Sequence, residues 1–420
     1  MIQTIEIFPG ITLRCFPDKR FKQGALSIQF LRPMCPEEAA LNALLPAVLL
    51  RGTKQHPDMR SIILHLDDLY GAAVGTQVRR IGDVHTTGIS CSFIDDKFAL
   101  PGDAVLVPML RFIREILLEP VLENGCFRED FVSSEKRNLL LTIESQLNDK
   151  RAYAAAQMLK KLCPEDAFGA PRLGEPEQVK AITPASLFAH YQKVLQESCV
   201  HIFYTGSAEP EELASLLRQE LVFPDRAPMP APEQTPLRIG TPGNHQMTMD
   251  VAQGKLCMGF VTPITFRDPR FAAMQVCNTV LGSGMISKLF MQIREKLSLC
   301  YDISSGYYGS KGIVSVSAGI DRDKDALVCE EILHQVEECV RGNISQEELT
   351  AAKQAILSGL RATHDSPGAI ESYYATAAIS GLGMSPQAYA EAVSRVSVED
   401  VAAAAATLEK HTIFFLKGVQ

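Results

Sequence analysis

Nine histidines are spread along the chain, and none has another four residues further on. The His-x-x-x-His spacing that sets two imidazoles on one helical face for a metal is therefore missing. His65 lies in the apolar helical pattern SIILHLDDL, where a hydrogen-bonded, half-buried ring is expected and not a ligand. His85 stands alone in the strand pattern DVHTTG. His334 opens HQVEE inside the acidic run CEEILHQVEEC, expected to be a solvated helix face. Eleven cysteines from Cys15 to Cys339 show no C-x-x-C spacing, which predicts reduced thiols rather than a disulfide framework or a zinc ribbon. The glycine-rich LGSGM and the following Lys288 lack phosphate-loop spacing. Ser345 with Glu348, and Ser397 with Asp400, are capping-box patterns that start helices.

Two positions remain. Arg294 ends a helical pattern and Tyr301 begins a strand pattern in LGSGMISKLFMQIREKLSLCYDISSGYY. Taken singly, such an Arg is a surface group and such a Tyr packs by its ring. The other notable segment is ALLPAVLLRGT, Ala43 to Thr53, an apolar helix interrupted by Pro46. A proline inside a helix removes a donor and crowds the preceding turn, at about 3 kcal/mol.

The elements that must position these residues read as α+β. IQTIEIF, ITLRCF and ALSIQFL alternate as strands, the last two joined by a PDKRFK turn. GDAVLVPMLRFIREILLEP predicts a helix from Asp103, REDFVSSEKRNLLLTIESQL a second, and Thr183–Pro184 the cap of a third. Six prolines between Pro224 and Pro242 exclude helix and central strand and predict an extended linker. The halves on either side resemble each other: QGALSIQFLRP from Gln23 matches QGKLCMGFVTP from Gln253, an offset of 230 that also sets LYGAAVG on LCYDISS. A period this long is a domain duplication. The expected division is 1–222, a linker over 223–243, and 244–420. The net charge is -8, without a basic block, which disfavours nucleic acid and anionic membrane and mildly favours basic peptides. No apolar run reaches the roughly 20 residues of a membrane span, and the N-terminus lacks a secretory pattern, so a cytoplasmic location is expected.

The stretch around Arg294 and Tyr301 resembles the pitrilysin/insulinase family of zinc peptidases, which includes the mitochondrial processing peptidase. LGEPEQVKAITPASLFAHYQKVL, HIFYTGSAEPEEL and PGAIESYYATAAISGL extend the resemblance over nearly the whole chain. It implies two homologous sheet-plus-helix domains of the LuxS/MPP-like metallohydrolase fold, forming a half-shell. It also implies that Arg294 and Tyr301 hydrogen-bond a substrate peptide. In active members a first-half helix carries His-x-x-Glu-His just before an apolar-basic-Gly-Thr ending. Counting back from Gly52 and Thr53, the two histidines fall on Ala43 and Ala47 and the glutamate on Pro46. The third zinc ligand falls on Ile143, with Glu144 one step away. None of the four positions can bind a metal or move a proton.

The chain is similar to non-catalytic bacterial members of this length that accompany a zinc-bearing relative. The expectation is a non-catalytic homologue, inactive alone and without a cofactor. It would hold extended peptide by strand addition and pair with a zinc-bearing relative or with itself. Two other readings stand beside it: a peptidase active alone through an unrecognised metal or nucleophile site, and a purely structural interaction subunit.

Overall fold

The computed structural model describes residues 2–418. The first half contributes β1 (Gln3–Phe8), β2 (Ile11–Pro17), β3 (Gln23–Pro33), β4 (Ala73–Ile81), β5 (Val84–Ile94), a small hairpin of β6 (Leu122–Glu123) and β7 (Cys126–Phe127), and β8 (Cys199–Gly206). The second contributes β9 (Gly243–Met249), β10 (Gly254–Val261), β11 (Cys300–Tyr308), β12 (Ile313–Ile320) and β13 (Glu409–Gly418).

The larger sheets run β1-β2-β8-β3-β5-β4 and β11-β12-β10-β13-β9. Read from β2, the first order repeats the second in reverse listing, strand for strand. Directions repeat too: β2 is parallel to β8 as β9 is to β13, and the remaining pairs are antiparallel. The duplication legible in the sequence is thus a duplicated sheet, with β1 an added edge strand. The fold is α+β with two homologous sheet-and-helix halves.

One expected connection differs. PDKRFK joins β2 to β3, but these strands are not neighbours: β8 enters between them, parallel to β2 and antiparallel to β3. The tight hairpin is instead β1–β2, turning at Pro9 and Gly10, where φ is +74°. The helix expected from Asp103 begins at Leu106. Asp96 supplies its cap, accepting from the Val105 and Leu106 N–H groups at 2.9 Å, while Asp103 accepts from the Tyr70 hydroxyl. Neither helix nor strand occurs between Glu220 and Gly243, as the proline density requires.

Contacts group the chain into two compact units that are not the sequential halves. The first runs to Glu144 and adds Pro171–Glu233 and His364–Ala375; the second takes Ser145–Ala170, Gln234–Thr363 and the chain from Thr376 on. Each half therefore contributes one helical segment to the other half's unit. In the first unit, the helices Pro36–Leu49, Leu106–Leu118 and Pro184–Glu197 bury Leu44, Val48, Phe112, Ile116 and Leu187 against Leu26, Ile28 and Ile89 of the sheet.

The opposite face of the first sheet is polar. Ser27, Gln29, Gln77 and Arg79 share it, since Gln29 and Gln77 both oppose Gly88. All four converge on Glu371, within the helix Pro367–Ser380. Its carboxylate accepts from Ser27 at 2.8 Å, Gln29 at 2.6 Å, and Arg79 at 3.2 and 2.7 Å, with Gln77 at 3.5 Å. In the second unit the equivalents of Ser27 and Gln29 are Cys257 and Gly259, and the helix Lys150–Leu162 covers them with Met158 and Leu162.

Candidate functional site

The segment that would carry a zinc helix is a helix, Pro36–Leu49, and Pro46 lies inside it. Ala43 and Pro46 are buried and Ala47 is half-buried. Ile143, on the helix Glu129–Ser145, packs against the first core, while Glu144 is exposed. Methyl groups and a pyrrolidine ring stand where the donors would be, so the residues present do not fit zinc. Among the described residues, no group of three His, Cys, Asp or Glu side chains could hold a metal ion.

The helix continues through Pro46 for a local reason. Proline leaves the carbonyl four residues back, that of Asn42, without its intrahelical donor. Thr87 of β5 fills the gap, its hydroxyl donating to the Asn42 carbonyl at 2.7 Å. A buried side-chain donor on the adjacent sheet replaces the missing N–H, so no carbonyl is orphaned.

Asn42 also anchors a buried cluster that the sequence did not reveal. Its amide donates to His85 Nδ1 at 3.2 Å, and His190 Nε2 donates to its Oδ1 at 2.8 Å. All three side chains are buried. Burial pushes both imidazoles down to about 4, with nearby cations adding to the effect on each, so both are neutral at pH 7. His85 is thus not isolated: strand β5 brings it under the helix. Below His190 lies Glu38, held well below the usual carboxylate range by Arg32 at 2.9 Å and Lys193 at 2.7 Å against the penalty of burial. The available signal was an Asn in an otherwise apolar helix, four residues before a proline. His65 is half-buried as expected, but what it makes are ring contacts, 4.4 Å from His56 and 4.8 Å from Phe112, in place of the expected hydrogen bond. His334 is exposed on the helix Asp325–Val340.

Arg294 and Tyr301 belong to the second unit. Arg294 lies near the end of the π-helical segment Leu289–Lys296, its guanidinium 4.6 Å above the Phe290 ring and its Nε 3.7 Å from Glu295. Strand β11 is an edge strand. Cys300 pairs with Ile320 and Asp302 with Gly319, which leaves Tyr301 as the extra residue of a β-bulge. The bulge turns its side chain out: Tyr301 is 61% exposed, and its hydroxyl donates to Asp321 at 3.0 Å. The two side chains therefore have separate partners at one helix–strand junction. Met285, Ile286, Met291 and Leu297 are also exposed along this junction. Lys288 is buried, bonded to the Asn343 carbonyl at 2.6 Å and Glu348 at 3.0 Å, which makes it structural.

The expected caps form: Ser345 with Glu348, Ser397 with Asp400, and Thr183 with Ser186. All eleven cysteines are free thiols.

A duplicated sheet-and-helix fold defines a class, and comparison with known proteins shows what it is similar to. Residues 181–356 match the family described as the Peptidase M16 inactive domain. A Bacillus subtilis protein described as "Probable inactive metalloprotease YmfF" is 27% identical over 411 residues, covering 98% of this chain and 96% of its own. A conserved protein from Enterococcus faecalis superposes with a TM-score of 0.91 at 28% identity, covering 99% of this chain and 98% of that one. A peptidase M16 inactive domain from Pseudomonas fluorescens superposes at 0.82 with 18% identity, over 100% of this chain and 98% of its own, a likeness of fold. The chain is thus similar to the M16 peptidases and, over nearly its whole length, to a relative described as inactive, in line with its resemblance to the pitrilysin/insulinase family.

Proposed function

We propose that this protein is the non-catalytic, peptide-holding partner of a zinc-bearing relative in peptide or protein processing. The observation that carries the reading is an asymmetry of retention. The helix that would hold zinc keeps its place and its packing, yet Ala43, Pro46, Ala47 and Ile143 supply no donor. The bulged edge strand, by contrast, keeps Tyr301 out in solvent with Arg294 beside the same junction. An edge strand offers main-chain donors and acceptors to an extended peptide, and a projecting Tyr and Arg add side-chain hydrogen bonds. Zinc and its activated water would then come from the partner.

The eleven free thiols suit a reducing compartment such as the cytoplasm, and no helix among the described residues is long and apolar enough to cross a membrane. The partner would be a zinc-bearing relative, with a homodimer as the alternative assembly. Co-purification with a zinc-bearing M16 relative, followed by assay on unstructured peptides, tests the proposal. Cleavage by the mixture, and by neither chain alone, is expected. Replacing both Arg294 and Tyr301 should lower peptide affinity of the mixture without dissociating it. Equal cleavage by the partner alone would overturn the proposal.

A further inference from the structure

The second unit contains a cavity of about 540 Å³ at one end of its sheet, the end opposite the Tyr301 bulge. Its walls are the proline-rich segment around Pro236 and Leu237, the end of β10 at Val261 and Thr262, and the start of β13 at Glu409. That volume lies within the range of small-ligand sites, roughly 300–1,000 Å³.

The wall formed by the proline-rich segment is held in place by a buried ion pair. Lys311 and Asp166 have side chains 0% and 1% exposed and meet at 3.1 Å. Lys311 also donates to the Thr235 carbonyl at 3.3 Å, and Asp166 accepts the Arg238 N–H at 3.0 Å. A fully buried pair gives little net stability, but it fixes geometry when its remaining hydrogen bonds are met. Here it pins a segment with no regular structure to the sheet and keeps the cavity open beside it. Opposite, the Thr262 and Thr407 hydroxyls bond at 2.7 Å and tie the strand ends together.

Two charged side chains lining this cavity are uncommitted. Arg267 and Glu409 are exposed, and among the described residues neither side chain has a hydrogen-bond or ion-pair partner. The stem of Arg267 lies over Gly381, where φ is +80°; a Cβ there would stand 2.6 Å from the Arg267 Nε. The bare glycine gives the guanidinium its seat. One free cation and one free anion, separated by hydroxyl and aliphatic walls, complement a molecule that carries both charges and an apolar middle.

The geometry points to a binding site for a short zwitterionic peptide, with Arg267 taking the terminal carboxylate and Glu409 the terminal ammonium. A guanidinium fork matches a carboxylate in two parallel hydrogen bonds. The site is distinct from Arg294 and Tyr301, and its failure would leave the partner-subunit proposal untouched. Its consequence would be sensitivity to free peptide products independent of the strand-holding edge.

The test is calorimetric titration of the full chain with Ala-Leu-Ala in three forms: free, N-acetylated and C-amidated, with free leucine as a fourth arm. The free tripeptide should bind, and each cap should weaken it by about tenfold or more, the worth of a charge-assisted hydrogen bond. Arg267→Gln should abolish discrimination between acid and amide, and Glu409→Gln that between amine and acetamide. Unchanged circular dichroism spectra would establish that both variants fold. Free leucine binding as tightly as the tripeptide would overturn the peptide assignment. Equal affinity for capped and free forms, no binding up to about 10 mM, or unchanged discrimination in both variants would overturn the site.

Discussion

The two sheets are built alike and covered differently. On the first, the outer face presents Ser27, Gln29, Gln77 and Arg79, which close around the single carboxylate of Glu371. On the second, the equivalents of Ser27 and Gln29 are Cys257 and Gly259, with Met158 and Leu162 pressed into the space. A Cβ on Gly259 would lie 2.6 Å from the Met158 sulfur, so the small residue is what lets the helix settle. Duplication preserved the architecture while one copy came to bury a salt-bridged polar cluster and the other an apolar one. Hydrophobic cover is non-directional and tolerant of repacking, whereas a carboxylate with several donors fixes one register and leaves costly orphans when broken.

Acid should separate the two units most. His85, His190 and His201 all lie in the first unit, and burial holds the first two down to about 4 and His201 to about 3, against an ordinary 6.5. An unfolded chain binds protons that these rings refuse, so their contribution is fully present above pH 6.5. It is lost as the pH falls through the folded values. For His85 alone the change is on the order of 3 kcal/mol. Hydrogen exchange at pH 7 and pH 4.5 should show the first unit losing protection and the second retaining it; equal loss would contradict this.

Met158→Ala should come next, removing a buried side chain and opening a cavity, for about 3 kcal/mol by chemical denaturation. Glu371→Ala should cost less, about 2 kcal/mol, because the buried Gln29 and Ser27 keep a hydrogen bond to each other and Arg79 remains partly solvated. The informative contrast is with salt. The Glu371 penalty should shrink as ionic strength rises, while the Met158 penalty should not. Thr87→Val, which leaves the Asn42 carbonyl without a donor, should cost about 1 kcal/mol. Tyr301→Phe should be smallest, with no measurable change in melting temperature and, on the proposed function, a reduced capture of peptide by the proposed pair.

Much of this was legible from residues, and the boundary is physical. Alternation and capping are local, so β1, β3, the helix Glu129–Ser145 and the caps at Thr183, Ser345 and Ser397 could be placed from neighbouring residues. The offset of 230 survived because both sheets keep the same inward-facing pattern. That Ala43, Pro46 and Ala47 carry no donor was plain from their side chains alone. Pairings across long separations were not legible. Nothing near PDKRFK announces that β8 will come between β2 and β3. Asn42, His85 and His190 are distant in sequence and meet only when helix and strand pack. The bulge at Tyr301 was likewise hidden, since it is a mismatch in count between two strands and not a property of either.

The segments exchanged between the units bear on the order in which the chain can be completed. A ribosome makes the first half first, but the Glu371 that closes the outer face of its sheet arrives near the end of translation. At roughly 5–20 residues per second, the stretch from Gly206 to Glu371 takes on the order of ten seconds or more to emerge. Until then Ser27, Gln29 and Arg79 must stay hydrated, which polar side chains tolerate. An apolar face left bare for that time would be an aggregation hazard. The second sheet carries the apolar cover, and its covering helix, Lys150–Leu162, is already made before β10 appears. The polar cover thus falls on the sheet that has to wait.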